Sequence, residues 1–168
     1  MIGARCNGLI LKTEDGQVLA TETASRPVRY DGPLFQSGNY LIEGFSCYYD
    51  GNMGVNLQRV SNPVFAASIV CGERRAGVVG TVGDRRTFAF EGTVGSSVTL
   101  TVSRGGSGDI QPLVEVYDPD GFLVADASTT DKEAKITALT ILRGGRYTIL
   151  VSDTSTRTGS FSIMLQCQ

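Results

Sequence analysis

Apolar and polar residues alternate in several short runs along the chain. In the three clearest runs every second residue is apolar: Val98, Leu100 and Val102; Tyr147, Ile149 and Val151; Phe161, Ile163 and Leu165. A period of two, with Gly, Asp, Asn and Ser between the runs, is typical of half-buried strands in antiparallel sheets. The stretch 129–139 lacks a sustained helical stripe and flows into the β-like stretch 136–142, so it predicts a turn that enters a strand. The pattern predicts an all-β protein.

The chain also contains an internal repeat. Residues 11–20 and 37–46 resemble 116–125 and 144–153 in the second half. The matched pairs are Asp15 with Asp120, Gly16 with Gly121, Gly38 with Gly145, Tyr40 with Tyr147, and Gly54 with Gly159. From the matched aspartate to the last matched glycine is 39 positions in both copies. Shared order and length indicate two copies of one structural unit.

Each repeated element has a structural role. An Asp-Gly pair supplies the left-handed backbone geometry of a tight hairpin. A Gly-x-Tyr element brings the chain back as a strand whose aromatic ring packs into the core. The last glycine of each copy opens the turn before a closing strand. Each copy is therefore predicted to be a hairpin followed by a returning strand and a closing strand.

The two copies differ in the length of chain that precedes them. Residues 80–121 give about three further strands before the turn of the second copy, whereas 14 residues precede Asp15. We therefore expect a truncated β-sandwich at 1–62, a linker or donated strand at 63–79, and a complete β-sandwich at 80–168. On this interpretation the chain starts in the middle of a domain.

Composition and charge exclude several function classes. A net charge of −2 and a pI near 5.1 argue against a nucleic-acid or anionic-membrane surface. The longest apolar stretch, 64–71, is far shorter than the ~20 residues of a membrane helix. The sequence has no histidine, which removes Ser-His-Asp and Cys-His triads and histidine-based zinc sites. We expect no enzyme activity, no nucleic-acid partner and no membrane span.

Calcium is the one cofactor that the sequence suggests. Residues 118–121 resemble the start of a calcium loop, but the continuation with a late glutamate is missing. Asp118 is better interpreted as a turn residue that accepts hydrogen bonds from backbone amides. Asp120, Asp126 and Asp153 would have to converge in space to bind calcium, which the sequence leaves open. We predict no cofactor, with calcium as the alternative.

Four cysteines are widely spaced and include no C-x-x-C pair, so a metal cluster is not expected. Cys6 lies before the first strand of copy one and Cys47 lies in its Gly-x-Tyr strand. Cys71 opens the segment that leads into copy two, and Cys167 ends its last strand. We predict the disulfides Cys6–Cys47 and Cys71–Cys167, and with them an extracellular or cell-surface location. The alternative is four buried free thiols in a cytosolic protein.

The second copy resembles the bacterial pre-peptidase C-terminal family. The similar stretches are GTVGDRRTFAFEGTVGSSVTLTV, LVEVYDPDGFLVAD, LRGGRYTILVSD and GSFSIMLQ. The resemblance covers about 80–167 and, in truncated form, 9–60. It implies a jelly-roll-type antiparallel β-sandwich, present here as two tandem copies of which the first is incomplete. It also implies a module attached to secreted proteins, often proteases, that assists secretion, folding or substrate binding.

One motif departs from the family pattern. Members commonly carry a Gly-Asp-x-Asp-x-Tyr element whose carboxylates can bind calcium. This sequence keeps Gly83 and Asp84 but has Arg86 and Phe88 at the two later positions. We therefore expect no calcium site at this turn.

A sandwich without its first strands exposes unpaired edges and an open core, so we expect self-association into a homo-oligomer, a filament or a surface assembly. A candidate inserted segment is apolar and lies between the copies: Val64, Phe65, Ile69 and Val70. The alternative is that this segment adds a strand to copy two of its own chain. The alternative function is a ligand-binding or secretion-helper module appended to a larger secreted enzyme.

Overall fold

The computed structural model describes residues 7–24, 28–34, 36–46 and 54–168. Its regular structure is entirely β, which confirms the predicted fold class. The strands are β1 (Asn7–Thr13), β2 (Val18–Ala24), β3 (Tyr40–Ser46), β4 (Ala67–Ser68), β5 (Arg74–Val79), β6 (Arg86–Gly92), β7 (Ser97–Gly108), β8 (Pro112–Tyr117), β9 (Leu123–Ser128), β10 (Glu133–Thr140), β11 (Gly145–Asp153) and β12 (Gly159–Cys167). Within these residues no helix is long and apolar enough to cross a membrane.

The chain divides into two compact units, Met1–Val55 and Asn56–Gln168. The described strands of the first unit form a three-stranded sheet in the order β2-β1-β3. The second unit contains a four-stranded sheet, β10-β7-β12-β5, and a five-stranded sheet, β4-β6-β11-β8-β9. All of its strand pairs are antiparallel except β4 with β6, which is parallel.

The core of the second unit is built from the alternating runs. All nine residues of the three runs are buried in one cluster, as the alternation predicts. Aromatic rings add specific contacts to this cluster. Phe88 meets Phe161 edge to face with ring centroids 6.1 Å apart, and Phe90 stacks on Tyr147 at 5.2 Å. Each such pair contributes about 0.5–1.5 kcal/mol beyond the area that it buries.

The segment 63–79 supplies strands to the second unit of its own chain. β4 pairs with β6 in the five-stranded sheet, and β5 pairs with β12 in the four-stranded sheet. Between them Ile69 is buried in the core, and its N–H donates to the Ala89 carbonyl at 2.9 Å. This part of the chain is therefore not a free linker.

A disulfide joins Cys71, in the turn before β5, to Cys167 at the end of β12, with the Cα atoms 5.5 Å apart. This confirms the predicted second bridge. The predicted Cys6–Cys47 bridge lies outside the described residues.

Aromatic rings lie over glycines of neighbouring strands at three places. A β-carbon at Gly77 would overlap the ring of Phe161, and one at Gly92 would overlap the ring of Tyr147. The third pair is in the first unit, where the Phe45 ring of β3 occupies the space above Gly8 of β1. Glycine at these positions leaves room for the ring, which then covers the exposed strand backbone.

Candidate functional site

The three-stranded sheet of the first unit has one mainly apolar face. Leu11 of β1 lies opposite Ala20 of β2 and Ile42 of β3, and residues directly opposite one another share a face. By alternation Leu9 and Tyr40 lie on this face too. Leu11 is 5% exposed, and the other buried hydrophobic side chains of the described core all belong to the second unit. The first unit therefore has a small apolar centre.

The opposite face is polar at its middle. Lys12 Nζ donates to both carboxylate oxygens of Glu43, each at 2.7 Å. Leu41 lies directly across from Lys12 and is 51% exposed. On this face β3 therefore presents an apolar side chain next to a satisfied ion pair.

The hairpin turn of the first unit is held by three hydrogen bonds around Thr13. Its carbonyl accepts from the N–H of Gly16 at 3.0 Å, and its N–H donates to the carbonyl of Gln17 at 2.9 Å. Its hydroxyl oxygen accepts from the N–H of Gln17 at 3.0 Å. Gly16 has a φ of +89°, a conformation that side chains disfavour.

The second unit repeats this turn with Asp118 in place of Thr13. The Asp118 carbonyl accepts from Gly121 N–H at 2.9 Å, and its N–H donates to the Phe122 carbonyl at 2.9 Å. Its carboxylate accepts from the N–H groups of Asp120 and Phe122. Gly121 has a φ of +90°. The prediction that Asp118 is a turn residue bonded to backbone amides is confirmed.

The Gly-x-Tyr elements also repeat one another. The Tyr40 hydroxyl donates to the carbonyl of Gln36 at 2.6 Å, and the Tyr147 hydroxyl donates to the carbonyl of Arg143 at 3.0 Å. Each tyrosine thus ties the loop four residues upstream to its own strand. Tyr147 is buried as predicted, whereas Tyr40 is half-buried.

Strand register completes the equivalence of two three-stranded meanders, one formed by β1, β2 and β3 and the other by β8, β9 and β11. Val116 of β8 lies opposite Ala125 and Ile149, as Leu11 lies opposite Ala20 and Ile42. Both hairpins also have a β-bulge at the next residue pair. The sheet order β2-β1-β3 therefore corresponds to β9-β8-β11. This equivalence adds strand pairing to the sequence repeat.

The repeat ends before its last predicted element. Gly159 begins β12, but the described residues 54–66 contain no strand after Gly54. The expectation that Gly54 precedes a closing strand is wrong. The residues around Gly54 match a sequence pattern, but they do not pair with a sheet.

The surroundings of the two meanders differ. β11 pairs with β6 from Gly145 to Val151, and the four-stranded sheet covers its core face. In the part of the first unit that the structure describes, β3 pairs with β1 alone, and no second sheet is present. Among the described strands, the first meander therefore has no neighbour at the edge where the second has β6, and this edge of β3 is called open below. The sequence predicted missing strands, but it did not single out β3, Leu41 or Glu43.

The turns differ in charge pairing. Asp120 forms an ion pair with Arg143. In the first unit Gln36 stands at the position that matches Arg143. The pKa of Asp15 is lowered by a hydrogen bond from the Thr13 hydroxyl and, to a smaller extent, by hydrogen bonds from the backbone N–H groups of Asp15 and Gln17.

A cleft of about 480 Å³ lies between this turn and the 36–40 loop and is lined by polar side chains.

The acidic residues considered for calcium are dispersed over the second unit, and Asp120 and Asp153 have partners within the protein. Asp153 accepts hydrogen bonds from the backbone N–H groups of Gln111, Ser155 and Arg157. Asp126 lies on β9 opposite Glu115. Among the described residues, no three or more His, Cys, Asp or Glu side chains are placed to bind a metal ion.

The fold buries one residue of the candidate assembly segment and exposes the other three. Ile69 is buried in its own chain, whereas Val64, Val70 and Phe65 are exposed, the last at 98%. A cavity of about 240 Å³ lies beside this segment, lined by Ile69, Val70 and the disulfide cysteine Cys71 among others. That the exposed residues take part in assembly remains a prediction.

No protein-family model matches the chain, and no curated protein matches it. A solved structure, the pre-peptidase C-terminal domain of collagenase from Bacillus anthracis, is similar at a TM-score of 0.50 and 12% identity, over 63% of this chain and 99% of that one. PliG from Salmonella Typhimurium, a periplasmic inhibitor of g-type lysozyme, gives a TM-score of 0.44 and 16% identity, over 61% and 98%. The first likeness supports the predicted fold, a β-sandwich like that of pre-peptidase C-terminal domains.

Proposed function

We propose that this chain is a non-catalytic structural protein that acts outside the cytoplasm and self-associates through its first unit. A single observation carries the proposal. The same three-stranded meander occurs twice with the same turn and register, and within the described parts of the chain a further strand and a second sheet accompany the second copy but not the first. The second unit thus serves as an internal reference for what the first unit lacks among its described residues.

The physical basis is the cost of an open sheet. The N–H and C=O groups on the outer edge of β3, which no described strand pairs, form a template for another strand. On the apolar face Leu11 is already buried, whereas Ile42 is half-buried and would lose more exposed area when a strand pairs with β3. A second molecule of the same chain can supply this strand without a separate partner.

The location rests on the disulfide. Disulfides such as Cys71–Cys167 persist in oxidising compartments and are rare in cytosolic proteins. Self-association outside the cell is the usual basis of fibres and surface layers. A symmetric contact closes as a dimer, whereas a head-to-tail contact gives a ring if its rotation closes and a filament if it does not.

The test is the particle mass of the full chain under non-reducing conditions. Light scattering coupled to size-exclusion chromatography should give a mass above the 17.9 kDa of one chain, and negative-stain electron microscopy should show regular particles. Monomers throughout the micromolar range would contradict the proposal.

A second candidate function is a ligand-binding or secretion-helper module. It is favoured by the likeness of the fold to the pre-peptidase C-terminal domain of a collagenase. This function predicts a monomer whose addition to a secreted enzyme changes substrate binding or secreted yield. The same mass measurement therefore separates the two candidates.

A further inference from the structure

We infer that two copies of this chain pair through the open edges of their β3 strands, antiparallel, about a two-fold axis at Ile42. The inference rests on the proposed self-association and adds the interface and its register. The resulting sheet has six strands, in the order β2-β1-β3-β3-β1-β2.

The second unit shows that this edge accepts an antiparallel strand. β11 occupies the position that corresponds to β3, and β6 pairs with it from Gly145 to Val151. No strand among the described residues takes the place of β6 beside β3. We therefore place a second molecule at this edge, because its own β3 has the same backbone groups that no described strand pairs.

Side-chain alternation limits the register. Directly opposite residues must lie on one face, so Ile42 can oppose Ile42, Tyr40 or Gly44 of the second copy but neither Leu41 nor Glu43. Ile42 opposite Gly44 sets the two Glu43 carboxylates against each other, which is unfavourable. Ile42 opposite Tyr40 leaves only three residues of β3 paired. Ile42 opposite Ile42 pairs 40–44 fully and continues to 38 and 46.

This register repeats a contact that the fold already uses. It places Tyr40 of each copy opposite Gly44 of the other, and Gly44 is exposed. The molecule places a ring over a cross-strand glycine at Gly8, Gly77 and Gly92. The pair of Tyr40 and Gly44 adds the same arrangement between two molecules.

The register also makes one position sensitive to the sign of its charge. Leu41 of each copy lies opposite Glu43 of the other, with Lys12 beside it. A negative charge at position 41 then faces Glu43 twice per dimer, whereas a positive charge meets an opposite charge twice. Without this register the charge at position 41 meets only Lys12 of its own chain, an interaction that is present before and after association, so the two variants should weaken association to a similar extent.

The test compares Leu41→Glu with Leu41→Lys in the full chain, by sedimentation over a range of concentrations. Leu41→Glu should raise the dimer dissociation constant about five- to tenfold, and Leu41→Lys should hold it within about threefold of the unmodified chain. Leu19→Glu and Leu19→Lys are the matched controls, because Leu19 lies on the opposite edge strand and is 41% exposed. Both controls should leave association unchanged.

Three results overturn the inference. Equal weakening by both Leu41 variants rules out the register, and no effect from either rules out the β3 edge while self-association stands. A monomeric unmodified chain removes the proposed function as well. Hydrogen exchange of β3 amides supplies a second readout, since their protection should rise with protein concentration while that of β2 amides stays constant. Circular dichroism of each variant confirms that it folds.

Discussion

The two meanders are nearly the same in local structure and very different in burial. The equivalent residues Ile42 and Ile149 have corresponding neighbours in their sheets, yet Ile149 is fully buried and Ile42 is half-buried. The difference accompanies β6 and the four-stranded sheet, which flank the second copy, whereas the described residues of the first unit contain no equivalent strand or sheet. Local sequence thus determines the turn and the register, whereas the neighbouring elements determine how much each residue stabilises the fold.

The largest expected effect comes from removing the disulfide, which should destabilise the second unit alone. Replacing both Cys71 and Cys167 by serine removes a bridge that spans 96 residues, which should lower the free energy of unfolding by about 2–5 kcal/mol. Native-state hydrogen exchange should show loss of protection in β7, β11 and β12. Equal loss in β1 would show that the two units do not unfold separately.

Matched core truncations measure the contrast directly. Ile149→Ala should cost about 2–5 kcal/mol, because it leaves a cavity between two packed sheets. Ile42→Ala at the equivalent position should cost less than half as much, since one side of the residue has less to pack against. Chemical denaturation, followed by hydrogen exchange in each unit, measures both losses of stability. Similar costs would mean that the first sheet is as well covered as the second.

The turn glycines should behave alike. Gly16→Ala and Gly121→Ala each force a side chain into positive φ, at a cost of about 1–2 kcal/mol. A β-carbon at Gly16 meets no other atom, whereas one at Gly121 lies 3.2 Å from Cβ of Ser61. The second cost should therefore be slightly higher. Thermal unfolding of both variants checks this, and a negligible effect at either position would contradict the shared turn geometry.

The smallest effect concerns two surface carboxylates, one in each unit: Asp15 is exposed and Glu73 is half-buried. The Thr13 hydroxyl lowers the pKa of Asp15, and the Val70 amide lowers the pKa of Glu73. A lowered pKa stabilises the fold above the pKa of the unfolded chain, and this stability is lost as the pH falls through the folded value, below about pH 4. Asp15→Asn and Glu73→Gln should each weaken this acid dependence. Unchanged acid-unfolding curves in both variants would contradict it.

Much of the fold was predictable because its signals are local. Alternation identified β7, β11 and β12, and the Asp-Gly repeat located both hairpin turns. The alternative that the segment between the copies adds a strand to copy two is confirmed by β4, whereas β5 was not assigned as a strand because it combines two arginines with an exposed edge. The closing strand after Gly54 was predicted wrongly. A glycine indicates a turn, but it does not determine whether the residues that follow pair with a sheet.

The candidate site was harder to predict for the same reason. An open edge is a property of missing neighbours, and the sequence of 40–46 resembles that of the paired strand β11. The repeat indicated that strands were missing from copy one. The register of β3, and with it the positions of Leu41 and Glu43, required the structure.

The bridge between Cys71 and Cys167 also determines how the chain responds to tension. A pull applied between the first unit and the C-terminus passes from residue 71 to residue 167 through the S–S bond. The enclosed chain, 96 positions long, then carries no load. At about 3.4 Å per residue it would otherwise lengthen by roughly 330 Å when stretched. A fibre built from such chains would resist extension at the second unit as long as the bond remains oxidised.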